Sequence, residues 1–359
     1  MSKIISEAPG RICLFGDHQD YLDLPVIACS IDRMMQLEAI ENGCDFFEVI
    51  FSDLNQKIEI PLEFDLQKIE KGDHLKAALK VLRRKKIVPK RGYKLIISSN
   101  IPINSGLSSS TALIIVWINF LFKAFGKKSI SPKETALLAY EVEVIEQKSS
   151  GGKMDHFTIS HGNIIYLDTK TDKVTSYKKL DLELVVGVSG LAKDTLGSLT
   201  HLKLNAIKAI KQVQNKIPNF EIDDSQENTT SEVLDLIDDD LKPYLYAAIK
   251  NFSITRAAKK EFEKKPLNIN LIGKLMNEHH NILKTYLKIT PPLINRMIEN
   301  ANRSGALGSK IVGSGGGGCI VAIADKNNKE KIINSIIKTG AKDAFSVNIS
   351  NGTTIKNLI

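Results

Sequence analysis

From Leu24 to Asp32 the chain is almost continuously apolar over the length of a strand, and Gln36 to Ile40 carries on with partial alternation of apolar and polar positions. Phe46 to Phe51 and Lys57 to Ile60 read as further strands, so an amino-terminal sheet is expected. The spacing turns helical at His74 to Arg84 and returns to a strand at Tyr93 to Ser98. It then gives a long apolar helix from Leu107 to Phe125, stopped by Gly126. Pro132 to Lys148 places apolar residues at helical intervals, while Asn163 to Asp168 and Leu182 to Val188 revert to strands. This mixture predicts an α+β domain rather than a regular βαβ array. Pro218 to Lys242 is acidic and polar and predicts a loop or surface element. Beyond it, helices are expected at Lys242 to Lys264, Ile269 to Leu287, Pro292 to Ser304 and Lys329 to Thr339, with a strand at Cys319 to Ala324. The ordering suggests a second α+β domain, giving domains at 1–184 and 185–359.

With 359 residues, the chain has ample length for two buried cores. The longest apolar stretch, Leu113 to Phe122, is broken by Asn119 and falls short of the roughly 20 residues of a bilayer span, so no membrane segment is expected. The amino terminus lacks the apolar core of a signal peptide, which points to the cytoplasm. The net charge of +8 raises nucleic acid as a partner. Its basic residues, however, fall in short clusters such as Arg83-Arg84-Lys85-Lys86 without aromatic interleaving, so no nucleic-acid partner is expected. The cysteines, Cys13, Cys29, Cys44 and Cys319, show no CxxC spacing and read as reduced, mostly buried thiols.

Three segments carry candidate chemistry. In the first, Ala8-Pro-Gly-Arg-Ile-Cys-Leu-Phe-Gly-Asp-His-Gln-Asp-Tyr21, Asp17, His18 and Asp20 cluster beside Gly16. Two carboxylates and an imidazole on a short loop can grip a polyol, because carboxylates accept hydrogen bonds from hydroxyls. A solvated turn, or a metal loop, accounts for the same residues. The second, Pro102-Ile-Asn-Ser-Gly-Leu-Ser-Ser-Ser-Thr-Ala112, runs straight into the apolar helix. Backbone N–H groups at a helix amino terminus hold phosphate, and serine hydroxyls can ligate Mg²⁺. An N-cap with spare serines is the plainer alternative, and no Gly-Lys-Ser/Thr of a Walker A loop is present. The third, Gly313-Ser-Gly-Gly-Gly-Gly-Cys319, lets backbone approach a ligand closely, although a flexible linker has the same composition.

In order and spacing these segments resemble those of the GHMP kinases, a superfamily named for galactokinase, homoserine kinase, mevalonate kinase and phosphomevalonate kinase, and the resemblance spans nearly the whole chain. Leu275-Met-Asn-Glu-His-His resembles a further stretch common in that superfamily. Arg11 with Gly-Asp-His-Gln-Asp-Tyr, and Gly152-Lys-Met-Asp-His-Phe157, are more similar to the galactokinase branch than to mevalonate kinases. The resemblance implies a two-domain α+β fold with the active site in the cleft between domains. It also implies transfer of the ATP γ-phosphoryl group to the anomeric hydroxyl of galactose or a related aldose.

On that resemblance Asp155 and Arg11 are catalytic, and Asp17, His18, Asp20 and Tyr21 bind sugar. ATP would lie against Pro102, Ser105, Gly106, Leu107, Ser108, Ser109 and Ser110, and against Gly315 and Gly316. Mg²⁺ would take Glu143 and a hydroxyl of Ser109 or Ser110. Several positions depart from the galactokinase pattern. Asp17 replaces the Glu that meets the sugar C6 hydroxyl and reaches roughly 1.5 Å less. Cys13 and His156 stand where Asn and Gln are usual, and Lys153 stands next to the catalytic segment. Val186 to Ala192 lacks a common Asn-Thr-x-Val-x-His stretch, and the third motif is closer to the mevalonate kinase form. Mevalonate kinase is therefore the second expectation, and a catalytically silent sugar- and ATP-binding regulator the third.

Overall fold

The computed structural model describes residues 3–126, 129–177, 182–191, 195–223 and 226–358. A long hairpin opens it: β1 (Lys3–Phe15) runs antiparallel to β2 (Val26–Glu41), with Ile4 opposite Ala39 and Cys13 opposite Ala28. There follow β3 (Phe46–Phe51), β4 (Gln56–Pro61), α1 (His74–Arg84), β5 (Tyr93–Ser99), α2 (Ser109–Phe125) and α3 (Pro132–Tyr140). A π-helical turn, Glu141–Glu146, continues α3 and leads to α4 (Met154–His161), β6 (Ile164–Asp168) and β7 (Lys173–Tyr177). The second half holds β8 (Leu184–Val188), α5 (Thr195–Lys216), α6 (Gln226–Leu234), α7 (Lys242–Phe262), α8 (Ile269–Thr285) and α9 (Pro292–Arg303). It ends with β9 (Gly308–Val312), β10 (Cys319–Ile323), α10 (Lys329–Lys338), β11 (Asp343–Val347) and β12 (Thr354–Leu358).

The first sheet has the order β12-β1-β2-β5-β3-β4, and β6 joins the other end of β2 and carries β7. α2 is apolar on every side because it is covered on every side: it lies on β1 and β2 and is flanked by α1, α3 and α4. Trp117 on α2 is fully buried, and its indole N–H donates to the Leu75 carbonyl at 3.1 Å, which satisfies the one polar atom it carries inward. The second sheet, β11-β8-β10-β9, is antiparallel throughout, with α9 and α10 packed on it around Met297, Ile320 and Ile336.

The acidic stretch from Pro218 to Lys242 is loop at both ends but not throughout. It contains α6, and Phe220, Ile222, Val233, Ile237 and Leu241 bury themselves between α5 and α7 together with Leu24. Val233 lies in α6, while Ile237 and Leu241 fold inward from the turns that follow it, apolar positions outvoted in composition by the surrounding aspartates. Asp224 of that stretch lies outside the described residues, as does Ala192.

The backbone passes between the two sheets twice. The second sheet begins at Leu184, and after Val347 the backbone returns to the first, where Thr354 pairs with Glu7 and Leu358 with Lys3. β1 itself reads poorly because Pro9 and Gly10 sit inside it. They are accommodated by a register shift at Pro9/Gly10, the kind of bulge at which proline is tolerated in a sheet. Cys13, Cys29 and Cys319 are buried thiols and Cys44 is exposed. Among the described residues no helix is long and apolar enough to cross a membrane.

Candidate active site

Arg11 stands on β1 between two register shifts, Pro9/Gly10 and Cys13/Phe15, which re-aim the strand on either side of it. Its guanidinium grips Asp155 with two parallel bonds, Nε to Oδ1 and Nη2 to Oδ2, each 2.7 Å, and Nη1 donates to the Gly106 carbonyl. Such a bidentate pair fixes orientation as well as charge. Asp155 lies in the first turn of α4, where the helix dipole favours an anion. Ser108 Oγ donates to its Oδ2 at 2.5 Å. Burial alone would raise the Asp155 pKa, but the Arg11 charge and hydrogen bonds outweigh it and hold the carboxyl below its ordinary value.

Ser108 begins α2 in the left-handed region, φ 62°, a conformation that costs a non-glycine residue energy. Its hydroxyl is directed to Asp155 and caps none of the helix amides. The plain N-cap alternative therefore fails for this serine. The π-helical turn after α3 carries Glu143 toward the start of α2, where it accepts from Ser110 Oγ at 2.8 Å and Thr111 Oγ1 at 2.6 Å. His156 Nε2 stands 2.9 Å from the same carboxylate. Burial pushes the Glu143 pKa up, but the His156 contact and the Thr111 hydroxyl bring it below the usual range.

Asp17, His18, Asp20 and Tyr21 occupy the tight connection from β1 to β2. Gly16 is required there: its φ is +95°, and a Cβ would lie 2.9 Å from the Pro25 carbonyl oxygen. Gln19, fully buried, anchors the turn to α7 by donating to the Ala248 carbonyl at 3.3 Å and accepting from Thr255 Oγ1 at 3.0 Å. Sequence reasoning passed over Gln19, because nothing local distinguishes it from a surface glutamine. His18 Nδ1 lies 3.1 Å from the Tyr21 hydroxyl. Asp17 forms a fully buried ion pair with Lys310 of β9, Oδ2 to Nζ 2.6 Å, and its Oδ1 accepts from the Gly313 N–H at 3.0 Å. Burial would raise the Asp17 pKa, but the Lys310 ammonium holds it at about 2.

Asp20 behaves oppositely. Burial and the neighbouring Asp155 charge lift its pKa to about 6, while the Met154 N–H, donating at 3.2 Å, only partly offsets them. Gly152 makes this approach feasible, because a Cβ there would sit 2.2 Å from the Asp20 carboxylate. A raised folded-state pKa means that proton binding favours the fold below pH ~4 and that this contribution is lost as pH rises through the folded value. Asp20→Asn is therefore expected to gain roughly 1–2 kcal/mol of stability at pH 7.5, less than a fully buried carboxylate would give, with the gain fading toward pH ~4. Urea unfolding at both pH values checks this, and an equal gain at each would mean that Asp20 is not under electrostatic strain.

These groups share one cavity of about 610 Å³, walled by both halves of the molecule, since Gly313 and Ser314 line it opposite Arg11 and Asp155. It gathers Asp17, His18, Asp20 and Tyr21 with Gly106, Ser108, Ser109, Ser110 and Glu143. Pro102, Ser105, Leu107, Gly315 and Gly316 do not line it. Ser105 Oγ closes on the Pro102 carbonyl at 2.7 Å, and Leu107 is core. Gly315 and Gly316 turn against Ile289, whose carbonyl accepts from the Gly316 N–H at 2.8 Å. Lys153 points elsewhere, its Nζ 2.6 Å from Asp172. Lys71, His74 and Gln147 extend the wall beyond any expected residue, Gln147 accepting from the Gly72 N–H at 2.7 Å.

Three family models match the chain: the galactokinase galactose-binding signature over residues 1–37, the GHMP kinases N terminal domain over 73–163, and the GHMP kinases C terminal over 258–342. A galactokinase of Thermococcus kodakarensis is 27% identical over 97% of this chain and 99% of its own length. A mevalonate kinase of Thermococcus sibiricus is 26% identical over 91% of each. Among solved structures, Lactococcus lactis galactokinase complexed with galactose superposes with a TM-score of 0.89 at 23% identity, covering 98% of this chain and 95% of that one. Methanococcus jannaschii mevalonate kinase superposes with 0.72 at 24% identity, covering 97% and 98%.

Proposed function

Because the chain belongs to the GHMP kinase superfamily and carries the galactokinase galactose-binding signature, we propose that it transfers the γ-phosphoryl group of ATP to the anomeric hydroxyl of galactose or a closely related aldose. The observation that carries this reading is that the Arg11–Asp155–Ser108 cluster, the Glu143–Ser110 pair and Asp17, His18, Asp20 and Tyr21 line one cavity.

Asp155 faces the acceptor hydroxyl, holds it in line and takes its proton as the new O–P bond forms and the bond to ADP breaks. In a loose phosphoryl-transfer transition state little charge develops on the attacking oxygen until late, so a carboxylate kept ionised can orient first and accept the proton afterwards. Arg11 secures that state: its contacts go to Asp155 and Gly106, which makes it a positioning cation rather than a phosphate clamp. The uncapped start of α2 at Ser109 and Ser110 offers amides and a positive dipole end to the phosphates.

The donors at Glu143, Ser110 and Thr111 are hard oxygens and fit Mg²⁺, and Glu143 with Ser110 would hold it. Bound there, the ion neutralises charge on the phosphates. His18, Asp20 and Tyr21 hold the sugar ring, with Asp17 at its C6 end.

The test is ADP release with MgATP and galactose or mevalonate as acceptor, together with loss of the reducing end in the sugar product. Galactose is expected to give the higher kcat/KM and a non-reducing phosphate ester. Turnover of mevalonate alone overturns the sugar reading and leaves a kinase; turnover of neither overturns both.

A further inference from the structure

Asp17 and Asp20, the two carboxylates of the sugar-facing turn, differ in that Asp17 is already paired with a protein cation. One oxygen faces the Lys310 ammonium at 2.6 Å and the other accepts the Gly313 N–H at 3.0 Å, and Asp17 is 2% exposed. Lys310 reaches it from the second sheet, is wholly buried, does not line the cavity, and donates also to the Cys13 carbonyl at 3.0 Å. Asp20, by contrast, has one amide contact, at 3.2 Å, and faces a second carboxylate.

The contrast bears on selectivity. A site rejects an analogue that lacks a hydroxyl chiefly because its own buried polar group is left without a partner, by about 10⁴-fold or more when that group has no other. Where the group is already paired, omission of the hydroxyl strands nothing.

We propose that Lys310 is a specificity-determining positioning residue: by pairing with Asp17 from the second sheet it leaves no lone charge on that wall of the pocket when the substrate hydroxyl is missing, so that aldopyranoses of galactose configuration lacking the C6 hydroxyl are accepted. This rests on the sugar-kinase reading, with Asp17 at the C6 end. An unpaired acidic residue at the same position would demand the hydroxyl.

The experiment compares kcat/KM for galactose and 6-deoxygalactose. On the unmodified protein the deoxy sugar is expected within about thirtyfold of galactose, and a larger loss overturns the proposal. In Lys310→Met, with Asp17 deprived of its cation, the preference for galactose over 6-deoxygalactose is expected to rise at least about tenfold. A merely structural Lys310 would lower both sugars alike, and an unchanged ratio in the folded variant overturns the assignment. Should the variant fail to fold, the comparison on the unmodified protein decides alone. Inert galactose overturns the sugar-kinase reading and this inference together, whereas good galactose turnover with a large deoxy penalty overturns only the inference.

Discussion

Asp155→Asn is expected to lower kcat by about 10³-fold, the middle of the range that a positioned proton acceptor contributes. The amide keeps the size of the side chain and one acceptor oxygen, so Arg11 Nη2 and Ser108 Oγ retain a partner, but the charge that Arg11 balances is gone. KM for ATP is expected to move less than about threefold, since the loss falls on an interaction made at the reacting hydroxyl rather than at the nucleotide. Steady-state kinetics with both substrates varied, alongside calorimetric binding of galactose, separates the outcomes. A variant that still binds sugar and turns over at the unmodified rate would remove Asp155 from the chemistry. A variant that loses ATP affinity instead would assign it to the nucleotide.

Lys310→Met is expected to cost about 3–5 kcal/mol of unfolding free energy at pH 7.5, the scale of breaking a buried ion pair by deleting one partner. The cost arises because Asp17 remains charged in a site closed to water. Removing that charge as well should restore most of it, so Asp17→Asn combined with Lys310→Met is expected to lie closer to the unmodified protein than Lys310→Met alone. The pH dependence has a defined sign. With Lys310 present, Asp17 has a folded-state pKa of about 2, below its unfolded value, so its stabilisation is complete at neutral pH and is lost only as pH falls toward that value. Without Lys310 the same carboxyl prefers its proton, and the deficit should narrow as pH is lowered toward ~4. Urea unfolding of the three proteins across that range measures it, and a deficit independent of both pH and residue 17 would show the lysine acting through packing alone.

The parts of the site legible in the sequence are those whose chemistry is local. Gly16 to Tyr21 and Pro102 to Ala112 are contiguous, and helix α2 announces itself by an apolar run of helical length. Arg11 and Asp155 are joined in the sequence only through the family resemblance, since they are 144 positions apart and meet only after β1 is bulged and α4 laid across its end. Lys310 was invisible: one lysine in a basic chain carries no sign of burial until β9 places it against Asp17. Thr111 sat inside a quoted motif, yet its bond to Glu143 depends on a π-helical turn that periodicity does not encode. The acidic segment misled for a compositional reason, its aspartates facing outward around a sparse apolar spacing.

The pairing of β12 with β1 bears on how the protein comes off the ribosome. The edge of β1 that β12 covers consists of Lys3 to Glu7, and its partner, Thr354 to Leu358, is made long after it. Throughout synthesis, then, the emerging amino-terminal half carries an open strand edge of the sort that recruits other chains. Closing it is also a contact of large sequence separation, which forms slowly. A nascent or truncated chain ending before Thr354 is thus the species in which this protein is most exposed to strand-swapped association and in which holdase protection would matter most.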